Sequence, residues 1–484
     1  MSENNNQKVV KAGIGYTVGN YLLKGLTFLT IPIFSRLMST TDYGIYNTFT
    51  AFENILFILI GLAIHTSYKN ARYKYKFVEE GSESGKDYNT YVSTTMVMLI
   101  VSVVVWLSVT NVFAKPISNA IGLNQFSVNL LLLFSFSNAV LLCFNSDVAI
   151  RYEFQSFLKI SSINAVGNIV LSIVLMMTVF KEQRYMGRVL GTVVPIFFLS
   201  IYIIVKFIKK AKPQNCVPFL KWGVRYSIPI VPHGISQVIL SQFDRIMINN
   251  MIGASTAGIY SFAYNIYTIV NVTIQSLDSV WNQWFYEQMN QKAYEEIRKK
   301  SSMYMIGMLL FSSVLLLVSP EMIKILGDKP YWEAIYCVIP IIAAGYFSFL
   351  YTIPSAVEYY YEKTKFIAVG SLGAATINII LNYVFISKYG YIAAAYTTLF
   401  TYILYFVFHF VLASKIHKSC IFSIRTVLCC SIFMLGVNFF SLIYIESILK
   451  RWVVAFVLGL LFLWYLEKKM NIISRILKRG KKNG

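Results

Sequence analysis

Charge is scarce in this sequence. Of 484 residues, 13% are Asp, Glu, Lys or Arg, about half the share usual in soluble domains. Cysteine is sparse too: the six, at 143, 216, 337, 420, 429 and 430, form no C-x-x-C pair. That excludes a disulfide or metal framework and leaves them as inert packing residues of apolar segments. No zinc-type cluster occurs. GSESGKD at 81–87 has a phosphate-loop look, but it spaces Gly and Gly-Lys by three residues and lacks the following Ser or Thr. A nucleotide site is therefore excluded, and with it direct drive by ATP. Segments of alternating polarity, the mark of a transmembrane barrel, are missing as well. The start, MSENNNQKVVKAG, has no apolar core with a small-residue cleavage site. It reads as a cytoplasmic N-terminus and not as a cleaved signal peptide.

What fills the sequence instead is hydrocarbon. Hydrophobic residues make up 56% of it, in runs such as TTMVMLIVSVVVWLSV from Thr94 and RWVVAFVLGLLFLWYL from Arg451. Crossing a bilayer takes about 20 such residues, and stretches of that length recur from residue 14 to residue 466. The expectation is an all-α, polytopic membrane protein with about 14 transmembrane helices. The net charge is +21, and roughly three in four Lys and Arg fall on the N-terminal side of that topology. Both termini are thus expected in the cytoplasm, and the basic charge reports topology, not nucleic acid. The tail EKKMNIISRILKRGKKNG suits anionic headgroups as a short amphipathic helix. Connections on the opposite side are too short for a catalytic domain, so an enzyme is not expected.

Two stretches repeat. STTDYGIYNTFTAF at 39–52 and GASTAGIYSFAYNI at 253–266 align through Gly44 and Gly258, which sets Ile55 on Ile269 and Ile60 on Ile274. The first follows the turn between spans 1 and 2, the second the turn between spans 7 and 8. INAVGNIVLSIVL from Ile163 likewise matches ATINIILNYVF from Ala375, with Asn168 over Asn378 and Leu171 over Leu381. Six helices separate the copies, an even number, which describes a parallel repeat. The expected organisation is two six-helix lobes, 1–212 and 213–420, plus a terminal helix pair and basic tail, 421–484. The lobe boundary falls in the basic, proline-containing KKAKPQNCVPFLKW. Alternating-access carriers share this ground plan, with the substrate site at the lobe interface.

TFLTIPIFSRLMSTTDYGIYNTFTAFENILFILIGLAIHTSYKNARYKY resembles the opening of bacterial polysaccharide flippases of the Wzx, or polysaccharide-transporter, type. YSIPIVPHGISQVILSQFDRIMINNMIGASTAGIYSFAYNI resembles them more closely still. The resemblance implies a fold of the multidrug/oligosaccharidyl-lipid/polysaccharide exporter superfamily. It also implies a substrate: an oligosaccharide repeat unit on undecaprenyl pyrophosphate, moved from the inner to the outer leaflet of the bacterial cytoplasmic membrane. The product would be O-antigen, capsule or another exopolysaccharide, and no cofactor is implied. Partners would be the lipid-linked oligosaccharide and membrane lipids, with the polysaccharide polymerase and chain-length machinery as further candidates. A cation-coupled multidrug exporter and a peptidoglycan-precursor flippase use the same fold and stay open. A sugar or ion carrier of the major-facilitator kind also stays open, although its usual Asp-Arg-rich loop between spans 2 and 3 is absent from SYKNARYKYKFVEEGSESGKDYNT.

A diphosphate and sugars need cations, hydroxyls, amides and aromatic faces to cross an apolar slab, where unpaired polar groups are costly. Lys24 and Arg245 are the two basic residues placed inside the bilayer itself, on expected spans 14–38 and 226–248. Such charges face a bundle interior by default, so both are candidates to bind the anion. Glu53 in span 43–66 could neutralise Lys24, and Asp244, about 100° from Arg245 around its helix, could pair elsewhere. Tyr260, Tyr264 and Tyr267 share one face of span 258–280 and suit sugars, unless they are belt residues at headgroup level. His65, His233 and Asp278, toward the inner ends of spans 2, 7 and 8, could exchange protons in an ion-driven carrier or sit satisfied at the interface. Asp147 and Arg151 are expected to pair locally. Pro229 and Pro232 are expected to kink or loosen span 7.

Overall fold

The computed structural model describes residues 15, 16, 19, 22–75, 87–214 and 216–470, and every regular element among them is helical. The tail 471–484 and the stretch 76–86 lie outside the described residues. Helical residues 22–29 lead into α1 (Ile31–Leu37). There follow α2 (Thr40–Gly61), a 3-10 turn (Ile64–Ser67), α3 (Tyr68–Lys74), α4 (Tyr88–Val112), α5 (Ala114–Ile121) and α6 (Gln125–Ile150). Next come α7 (Phe154–Thr178), α8 (Arg184–Lys210), α9 (Cys216–Ser227) and α10 (Val231–Met251). The remainder is α11 (Ala254–Asn290), α12 (Tyr294–Leu326), α13 (Ile335–Tyr360), α14 (Thr364–Tyr389), α15 (Ala393–His417), α16 (Ile424–Ile443) and α17 (Ile448–Met470). Contacts divide the chain into two compact units, Met1–Asn250 and Met251–Gly484.

The repeated motif starts corresponding helices by different means. α2 opens on a capping box: the Asp42 N–H donates to the Ser39 hydroxyl at 3.0 Å, and the Ser39 N–H donates to the Asp42 carboxylate at 3.3 Å. α11 instead follows Gly253, whose φ of 142° side-chain-bearing residues rarely adopt. Pro229 and Pro232 interrupt span 7. α9 stops at Ser227, Pro229 lies in a 3-10 turn, and Pro232 opens α10 where no backbone N–H is required.

Each unit is organised around one central helix. The apolar window of α6 is 67% buried and that of α13 is 83% buried, against 17% for α7 and 22% for α17. α2, α4 and α8 pack on α6 as α11, α12 and α15 pack on α13, while α7 pairs with α8 as α14 pairs with α15. The sequence repeat is therefore also a repeat of neighbours. Between membrane helices such contacts rest on close packing. A Cβ on Gly191 of α8 would come within 2.5 Å of the Ser172 backbone of α7, so a larger residue would force the pair apart. The terminal helices dock on α12. There Arg451, 1% exposed, donates to Glu321 at 2.5 and 2.8 Å, to the Leu317 carbonyl at 2.8 Å and to the Tyr444 carbonyl at 3.1 Å.

Eleven described helices are long and apolar enough to cross a membrane, counting the 3-10 turn Lys329–Ala334 with α13. This is a multi-pass membrane protein. Expected spans 1, 7 and 8 are not among the eleven. Span 14–38 lies partly outside the described residues. α10 and α11 have the length, 21 and 37 residues, but not the apolarity.

Candidate functional site

The helices that fall short in apolarity carry polar side chains along one face. On α10, His233, Gln237, Ser241 and Arg245 recur every turn. On α11, Tyr260, Tyr264, Tyr267, Asn271, Gln275, Asp278 and Asn282 continue one stripe at steps of three or four. α2 carries a shorter version, Tyr43, Asn47, Thr50 and Asn54. Its donors are satisfied along their own helix: Asn47 donates to the Tyr43 carbonyl at 2.7 Å, Thr50 to Asn47 at 2.9 Å and Asn54 to Thr50 at 2.6 Å. The amide oxygens and remaining lone pairs can still accept.

The tyrosines anticipated on α11 do come together. The Tyr260 and Tyr264 hydroxyls lie 3.4 Å apart, and the Tyr264 and Tyr267 rings meet edge-on at 5.5 Å. Tyr260 is fully buried and Tyr264 is 9% exposed. Tyr267 lies against Gly345 of α13. This end of the stripe is a packing surface as placed here, whereas Asn271 is half-buried and Gln275 exposed. Asp278 is half-buried.

In the first unit, Glu53 is 5% exposed and accepts from the Asn138 amide at 2.7 Å. This hydrogen bond bridges α2 and α6. Asn138→Leu is expected to strand the carboxyl and cost about 1–3 kcal/mol, while Glu53→Gln keeps a partner for Asn138 and costs less. Thermal unfolding in detergent measures both, and equal losses would show that the bridge is idle. Lys24 is exposed on helical residues 22–29, and Asp244 and Arg245 are both buried. His233 is half-buried at the start of α10, and His65 is half-buried in the 3-10 turn beyond α2. Burial pushes the His65 imidazole below its ordinary value, so near neutral pH it offers one ring N–H and no charge. The local pair Asp147–Arg151 forms at 2.9 Å.

With the polar helices in place, the decisive comparison is one of sequence. The profile of a family described as "Polysaccharide biosynthesis protein" matches residues 9–282, more than half of the chain and up to the last residue of the α11 stripe. The chain belongs to this family. Protein 1 of the Lsg locus of Haemophilus influenzae is 23% identical over 367 residues, which is 75% of this chain and 87% of that protein. The lipid II flippase MurJ in an inward closed conformation superposes with a TM-score of 0.68 at 17% identity, covering 94% of this chain and 99% of MurJ. An inward-facing MATE family multidrug transporter of the MOP superfamily superposes with a TM-score of 0.63 at 13% identity, covering 82% of this chain and 96% of its own. The family member thus has a fold shared with a flippase and a multidrug transporter.

Two polar constellations escape a reading of the sequence. Arg188 sits in the second turn of α8. Its guanidinium donates to Asn168 at 2.5 Å and Ser172 at 2.9 Å, and lies 3.8 Å from the Phe34 ring centre and 5.0 Å from that of Tyr46. The pairing of Asn168 with Asn378 pointed at this place. In the second unit, Asn382 and Thr398 stand where Ser172 and Arg188 do, and Asn378 donates to Thr398 at 3.3 Å. The second constellation is Glu358 of α13 with His409 of α15, fully buried and 2.5 Å apart. Nothing in the apolar surroundings of His409 marks it in sequence; only the topology brings its partner.

Proposed function

We propose that this family member flips an undecaprenyl-pyrophosphate-linked oligosaccharide repeat unit from the inner to the outer leaflet of the bacterial cytoplasmic membrane. It does so by alternating access of lobes 1–212 and 213–420, with 421–484 as an accessory helix pair and both termini in the cytoplasm. One observation carries the reading: polar stripes on α2, α10 and α11 in a chain whose other long helices are apolar enough to span. A helix keeps Asn, Gln, Ser and Asp at membrane depth where protein, water or polar cargo meets them. The amides and hydroxyls suit sugars, and Lys24, Arg245 and Arg188 supply donors for the diphosphate. Tyr260, Tyr264 and Tyr267 are second-rank sugar contacts, reached when their packing opens. Glu53, Asp244, Asp278, His65 and His233 serve as charge partners or ion-coupling groups. Membership of a polysaccharide biosynthesis family supports a glycan cargo over a drug. The polymerase and chain-length machinery would receive the flipped units.

Deleting the gene is expected to abolish surface polysaccharide and leave repeat units on the inner leaflet. Complementation with Lys24→Ala or Arg245→Ala should restore at most about a tenth of it at normal protein level, because a charged hydrogen bond is worth about 1.5–3 kcal/mol and about 1.4 kcal/mol is tenfold. Glycan export that persists while dye efflux falls would assign the chain to the drug exporters. Loss of outer-leaflet cell-wall precursor with surface glycan intact would assign it to the precursor flippases. Full export by both variants would remove Lys24 and Arg245 from the site.

A further inference from the structure

α2 and α11 share the Gly-Ile-Tyr motif in their early turns and end differently. α11 runs unbroken to Asn290, whereas α2 stops at Gly61. Leu62 (φ 48°, ψ 30°) and Ala63 (φ 49°, ψ 26°) then take the left-handed conformation in succession. Neither is glycine, so the break is strained and is held by its surroundings, with Ala63 and Ile64 buried. The redirected chain enters the 3-10 turn and α3, which carry His65, Lys69 and Arg72 at i, i+4 and i+7. Arg72 donates to the Ile150 carbonyl at the C-terminal end of α6. Tyr152, two residues on, is itself left-handed at φ 59°.

Beside the contact of α3 with the end of α6 lies an open pocket of about 400 Å³, lined by His65, Lys69, Arg72, Tyr73, Ser146 and Tyr152 among others. That volume is of ligand size. Among the described residues lining it, none is Asp or Glu. Lys and Arg are donors only, and the neutral His65 and Ser146 each add one donor. Cations and donors converging on a concave space without a lining carboxylate fit a compact polyanion. Tyr73 and Tyr152, 79% and 41% exposed, offer rings at the rim for a sugar joined to that anion.

We propose that this cavity binds a pyrophosphate-type anion, as carried by a lipid-linked sugar arriving from the side that the charge distribution assigns to the cytoplasm. The identity of the carrier rests on the flippase reading above; the anion site itself does not. Full-length protein in nanodiscs of zwitterionic lipid, titrated calorimetrically with inorganic pyrophosphate, is expected to show one saturable site. Lys69→Ala and Arg72→Gln should each weaken it by about tenfold, and Lys388→Ala on α14 should leave it unchanged. Arg72 also holds the Ile150 carbonyl, so the exposed Lys69 decides the matter if Arg72→Gln fails to fold. Wild-type affinity in Lys69→Ala, or no saturable binding at all, overturns the site. Repeating the titration with phosphatidylglycerol in the nanodisc separates the sources. Undiminished pyrophosphate affinity supports the cargo, and competition by the lipid assigns the cavity to phospholipid headgroups and overturns that part. If gene deletion spares surface glycan while Lys69→Ala still loses pyrophosphate, the site stands and the flippase reading falls. If deletion abolishes glycan while Lys69→Ala exports and binds normally, the reading stands and the site falls.

Discussion

A Glu358→Leu protein should lose about 3–5 kcal/mol of stability, because one member of a buried polar pair is removed and the other is stranded. His409 Nδ1 lies 2.5 Å from Glu358 Oε1, and neither residue is exposed. The Tyr351 and Tyr405 rings flank the imidazole at 5.7 and 4.6 Å. On the third side α14 comes so close that a Cβ on Gly370 would stand 3.0 Å from Nε2. Water cannot readily replace the lost carboxylate in such a site. His409→Leu should cost a similar amount, and the Glu358→Leu/His409→Leu double variant should recover most of it, since two apolar residues of similar volume leave nothing unpaired. Unfolding in detergent of the wild type, both single variants and the double closes the cycle. A double variant as damaged as the sum of the singles would show that the two residues do not depend on each other.

Arg451→Met is expected to cost about 3 kcal/mol and to release α17 from α12. One guanidinium serves four acceptor atoms on two other segments: both Glu321 oxygens and the Leu317 carbonyl on α12, and the Tyr444 carbonyl at the end of α16. Arg451 is 1% exposed, and the Glu321 side chain only 14%, so solvent gives little back. Arg451→Lys should recover less than half, because an ammonium is a point charge that cannot span a carboxylate and two diverging carbonyls at once. Thermal unfolding together with proteolysis near residue 447 reads both effects. Wild-type protease resistance in Arg451→Met would place the docking of α17 in its apolar contacts instead.

The sequence made the helical, membrane-spanning character legible because a bilayer imposes a length and an apolarity that few other environments demand. The repeat was legible at its ends: Gly44 and Gly258 each stand in the second turn of their helices, and Asn168 and Asn378 each sit at a polar contact between adjacent helices. The α11 stripe was legible only in part. Tyrosine drew attention at 260, 264 and 267, while the same spacing ran on through Asn271, Gln275 and Asn282 unnoticed. Arg188 hid because a cation near a span boundary looks like a loop residue until Phe34 and Tyr46 are seen beneath it. Glu358–His409 could not be read at all, since the two residues share neither helix nor turn and only folding defines the pair. The break after Gly61 likewise left no mark, because Leu62 and Ala63 are unremarkable helix formers whose left-handed backbone is imposed by their neighbours.

Ribosomes deliver a chain like this one segment at a time. α10 and α11 reach the translocon with more amide and charge than a lone segment can carry into lipid. They therefore enter leaning on apolar segments made before and after them. Substitutions that grease α11 would speed its biogenesis and strip its polar face in the same stroke, so yield and activity should pull this helix in opposite directions.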